Sequence, residues 1–84
     1  MKSFRQDRGT IMAKDIWQEM KTRWPSAIVS RQEVGQFSGG AVSPKFLANC
    51  DSQGIGVQGA FNIGRKVCYP VDSLIDWLRA RASK

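Results

Sequence analysis

Glycine and proline cut this chain into short pieces, and their positions leave few folds open. Pro25 stops one helical pattern, Gly39-Gly40 separates two brief helix signatures, Gly64 divides two alternating runs, and Pro70 precedes a last helical face. None of these pieces is long enough to be stable alone, so each must bury an apolar side against the others. The order is helix, tight turn, helix, hairpin, helix, which defines an α+β domain. Eighty-four residues allow one such domain. A chain of this size buries only about 60% of its unfolded surface, so its core is small.

Residues 1–11 read as a polar, charged leader without periodicity, and residues 12–84 as the single domain. From Met12 to Trp24, Ala13, Trp17, Met20 and Trp24 recur at helical spacing, with Ile16 beside them. Glu19 stands four residues before Arg23, a favourable surface pair. Ala27-Ile28-Val29 is a short extended lead-in. Ser30 with Glu33 three residues on forms a capping box for a helix to about Ser38, burying Val34 and Phe37. Gly39-Gly40 ends that helix, since glycine accepts positive φ. Ser43-Pro44 starts the next, serine as cap and proline at the first position, running to about Ser52 with Leu47 and Cys50 inward and Phe46 partly covered. Ala60–Ile63 and Lys66–Tyr69 alternate like paired strands across a Gly64-Arg65 turn of type II′. That pattern predicts a covered face of Phe61, Ile63, Val67 and Tyr69, with Arg65 and Lys66 in solvent at the tip. Pro70 breaks the second strand, and Asp72 caps a closing helix over about 73–82 that buries Leu74, Trp77 and Leu78. Arg79, Arg81 and Lys84 suit its C-terminal dipole.

Charge narrows the class of partner. Thirteen Lys and Arg against seven Asp and Glu give a net charge of +6, which favours polyanions. The excess is larger before residue 32 than after it. No apolar run approaches the ~20 residues that span a bilayer, and the N-terminus lacks the apolar segment of a signal peptide. Two cysteines without CxxC spacing, and no histidine, argue against zinc and for small reduced core residues in a cytoplasmic protein.

Two motifs compete for the function. Gly54-Ile55-Gly56-Val57-Gln58-Gly59 spells GxGxxG, but that fingerprint binds dinucleotides when it follows a strand and opens a helix. Here it follows a helix and leads into a strand, so the glycines serve close approach of a loop to another surface. Catalysis has no histidine base, and no nucleophile has a partner; a non-enzymatic protein with no catalytic residue, cofactor, metal or small-molecule substrate is expected. The other motif is the helix pair of residues 30–53, which matches a helix-turn-helix. In such modules the second helix enters the major groove while a β-ribbon tip reaches the backbone. Ser43 with nearby free N–H groups suits a phosphate. Lys45 suits phosphate or guanine, and Asn49 an adenine edge. Phe46, Ala48 and Gln53 complete the face, with Arg65 and Lys66 on the hairpin tip.

At this point the residues resemble a family. Ser30-Arg31-Gln32-Glu33-Val34 is similar to the opening of the excisionase-like, MerR-related winged helix-turn-helix domains. Ser43 through Gly54 has the length of that family's recognition helix. Ile63-Gly64-Arg65-Lys66-Val67 resembles its wing, and Tyr69 through Leu78 its closing helix. The resemblance spans residues 28–82. It implies a winged helix-turn-helix fold, three core helices plus a hairpin wing (about 60–69), here with an extra N-terminal helix. It also implies double-stranded DNA binding by a bacterial or phage protein of excision, recombination or transcription regulation. Partners would be DNA, further copies of itself on DNA, or a recombinase or regulatory protein, with no membrane. The chain departs from the family in a second helix poor in basic residues, a longer glycine-rich loop at 54–59, and the helix at 12–24. A rival expectation is a protein–protein adaptor that uses the Trp17/Trp24 stripe.

Overall fold

The computed structural model describes residues 15–82. Among them, helix α1 (Ile16–Arg23) leads into strand β1 (Ile28–Ser30), a 3₁₀ turn (Arg31–Glu33), α2 (Val34–Phe37), α3 (Pro44–Ser52), strands β2 (Phe61–Ile63) and β3 (Lys66–Pro70), and α4 (Val71–Arg81). The expected leader and the Met12 helix start lie outside the described residues. Asp15 caps α1: its backbone is extended and its carboxylate accepts the Trp17 N–H at 3.1 Å. Glu19 and Arg23 pair at 2.7 Å. The helix stops at Arg23 because Trp24, held extended before Pro25, cannot continue it.

The helix expected from Ser30 to Ser38 is a 3₁₀ turn followed by one turn of α-helix. Glu33 Oε1 accepts both the Ser30 N–H at 3.3 Å and the Ser30 hydroxyl at 3.0 Å, tying the corner. Gly39 and Gly40 take φ of 67° and 87°. The Gly40 N–H then closes on Gly35 O at 2.7 Å, which reverses the chain into α3. Ser43 caps α3 by accepting the Phe46 N–H at 3.1 Å, and Pro44 fills the first position.

The extended lead-in at Ile28 is a third strand. The sheet has order β1-β3-β2, all antiparallel, with Ile28 opposite Pro70 and Ser30 opposite Cys68. Pro70 therefore ends a paired strand rather than breaking it. Gly64, at φ 62°, opens the two-residue turn between Ile63 and Lys66. The expected covered face is corrected by the register. Phe61 pairs with Cys68 and Ile63 with Lys66, so Phe61 and Ile63 face away from Val67 and Tyr69. They are 40% and 55% exposed, whereas Tyr69 is fully buried.

A second correction concerns Asp72. Helix α4 begins two residues earlier than expected, at Val71, with Pro70 in the cap position. Asp72 sits exposed in the first turn and pairs with Lys21 of α1 at 2.8 Å. The core joins every layer: Val29, Val34, Leu47, Tyr69 and Leu74 have no solvent exposure, and Phe37, Val57, Val71 and Ile75 pack with them. Trp24 closes one end. Its ring meets Phe37 edge-on at 5.3 Å and its N–H donates to Ile28 O at 2.9 Å. Cys50 and Cys68 are free and buried. No helix among the described residues is long and apolar enough to cross a membrane.

Candidate nucleic-acid interface

Helix α3 is anchored by Leu47 and Cys50, both buried, which turns Lys45, Asn49 and Ser52 outward. At ~100° per residue these three share one face. Ala48, half-buried, and Gln53, exposed at the C-terminal cap, border it. Phe46 lies on the flank that faces α4 and is 38% exposed. Its ring sits 6.2 Å from that of Trp77, at 56°. Ser43 is committed to capping.

The opposite flank carries Asp51, to which no sequence motif gives a role. Its Oδ2 accepts from Arg31 Nη2 at 2.6 Å and from the Tyr69 hydroxyl at 2.8 Å. Arg31 Nε donates to the same hydroxyl at 2.9 Å. Three side chains from the 3₁₀ turn, α3 and β3 thus close a ring of charge-assisted hydrogen bonds. The bond from Arg31 to Tyr69 is the first cause that holds the guanidinium above its ordinary range. Burial, before any other cause, pushes the Tyr69 phenol up. The glycine-rich loop passes against this ring. A Cβ at Gly56 would overlap the Asp51 carboxylate and the Asp51 Cα, so the middle glycine of GxGxxG serves close approach.

Arg65 is exposed in the turn, and Lys66 is exposed but engaged, donating to Gln32 Oε1 at 3.2 Å. Both line a shallow hollow with Ser30, Arg31, Gln32 and Val67. The structure therefore brings the tip to the 3₁₀ turn, and Arg31 in that turn reaches α3 through Asp51. Arg31, Asp51, Tyr69 and Gly56 were not legible as a set, because no spacing along the chain links them. The one local signal was Asp51, a carboxylate next to buried Cys50 and one turn beyond buried Leu47. Among the described residues no group of three or more His, Cys, Asp and Glu is placed to hold a metal.

Comparisons with known proteins found no family model, no curated protein and no solved structure that matches this chain.

Proposed function

We propose that this chain is a sequence-specific double-stranded DNA-binding protein with a winged helix-turn-helix fold. In that reading α2 and α3 form the helix-turn-helix, α3 enters the major groove, and the β2–β3 hairpin is the wing on the adjacent backbone. The observation that carries it is the division of α3: two buried anchors on one side, and Lys45, Asn49 and Ser52 exposed on the other. Lysine can read guanine O6/N7, and asparagine adenine N6/N7. Ser43, whose oxygen accepts in the cap, still has its O–H to donate to a phosphate, and Arg65 serves a second phosphate contact; both set register.

The net charge of +6 supports a polyanionic partner. The family resemblance points to an excisionase-like protein or small regulator of a phage or mobile element, non-enzymatic and cytoplasmic. An adaptor built on Trp17 and Trp24 draws less support, because Trp24 is engaged with Phe37 and Ile28.

Selection of bound duplexes from a random pool tests the reading. It should enrich a short motif, and the purified protein should lose affinity steeply with salt. A pool that stays unenriched, with no retained duplex at low salt, would reject DNA binding.

A further inference from the structure

Arg81 ends α4 directly beside the N-terminal turn of α3. Its guanidinium carbon lies 4.8 Å from the Trp77 ring centre and 5.1 Å from that of Phe46. The indole is itself fixed, because its N–H donates to Ile55 O at 2.9 Å. A guanidinium lying against two adjacent rings keeps its charge and much of its donor edge while losing freedom. Among the described residues no carboxylate forms an ion pair with it. The helix dipole accounts for a cation at this end of α4. It does not account for one seated on a ring that belongs to α3.

The flank matters. Phe46 and Asp51 are five positions apart on α3, about 140° round the axis. Asp51 faces the Arg31 turn, where the hairpin tip with Arg65 and Lys66 also meets the body. Arg81 therefore stands on the other flank of α3. We propose that Arg81 is a phosphate-binding residue: it grips the DNA backbone on the side of the major groove away from the wing, so that cations bracket α3. The inference rests on the DNA-binding reading above. The ligand is a phosphodiester, held by the planar fork of N–H donors that suits phosphate oxygens.

The test uses the full chain and a duplex recovered from the pool. Arg81→Met keeps an apolar stem over Phe46 and Trp77 and removes the charge; Arg81→Lys keeps the charge. Arg81→Met should weaken binding to all duplexes alike. It should also flatten the slope of log K against log salt by about 0.9. Between about 50 and 200 mM salt that is a three- to fourfold smaller loss of affinity than wild type shows. Arg81→Lys should retain the wild-type slope. In the wild-type protein the Arg81 Nε–H resonance should shift on titration with DNA, a readout independent of how well either variant folds. An unchanged slope in Arg81→Met, or an unmoved resonance on a bound duplex, overturns the Arg81 contact and leaves the DNA reading standing. A wild type that binds no duplex removes both.

Discussion

Asp51 concentrates two hydrogen bonds on one oxygen, and that choice sets the demands on its neighbours. Arg31 and Tyr69 each supply a donor to it, and Arg31 also donates to the Tyr69 hydroxyl. Removing a single member leaves a polar group short of a partner in a part-buried site, which costs more than the lost bond. Tyr69→Phe keeps the ring in the core and deletes only the hydroxyl. It should destabilise by about 1–2 kcal/mol in urea melts, with Arg31 and Asp51 still paired. The pH response carries a definite sign. Burial raises the Tyr69 phenol above its ordinary value, so the folded chain holds that proton more tightly than the unfolded one. The contribution is complete below about pH 10 and is lost as pH rises through the folded value. The stability gap between wild type and Tyr69→Phe should therefore narrow above about pH 10; a gap that widens there would contradict the assignment. Gly56→Ala attacks the same ring from the loop. An added Cβ collides with the Asp51 carboxylate and backbone, and a loss of about 1–3 kcal/mol is expected, as for overpacking elsewhere.

Elements bounded by strong local chemistry were legible in the sequence. Ser43-Pro44 at one end and Gly54 at the other delimit α3 through capping, a fixed φ and a positive φ, each a one-residue effect. The hairpin turn followed from Gly64 for the same reason. Strand register is different, because it depends on pairing between strands as well as on alternation within them. A one-residue change of phase moves every side chain to the other face. Counting alternation across the turn put Phe61 and Ile63 with Val67 and Tyr69. The two-residue turn instead pairs Ile63 with Lys66 and Phe61 with Cys68. β1 was legible only as an extended segment, since its partner strand lies some forty residues on. The register has a direct check. Ile63→Thr, on the exposed face, should change the urea midpoint by less than about 0.5 kcal/mol equivalent. Val67→Thr places a hydroxyl against the core and should cost on the order of 1–2 kcal/mol. Equal losses at both positions would mean that Ile63 is buried in solution.

At the scale of the whole molecule, the proposed site is a relation between α3, the hairpin and the end of α4, and only its outer residues could be read from the chain. Lys45, Asn49, Gln53 and Arg65 are exposed, as amphipathic spacing and turn chemistry led one to expect. The Arg31–Asp51–Tyr69 ring that ties the 3₁₀ turn to α3 and β3 joins residues 18 to 38 positions apart, beyond any periodicity. The proposed roles divide this surface in two. A groove-facing side chain discriminates between bases, whereas a wing cation neutralises phosphate whatever the sequence. Asn49→Ala should relax the selected motif at one adenine position, costing about 1–3 kcal/mol on the preferred duplex and little on random DNA. Lys45→Ala should relax a neighbouring guanine. Arg65→Ala should leave the motif unchanged, lower affinity on every duplex, and reduce the salt slope by about 0.9. Lys66 is engaged with Gln32, so Lys66→Ala should have the smaller effect of the two wing substitutions. Measured on matched and scrambled duplexes over a salt series, the two kinds of loss separate cleanly. If Arg65→Ala altered base preference, or Asn49→Ala weakened all sequences alike, the assignment of α3 to the groove and the hairpin to the backbone would have to be exchanged.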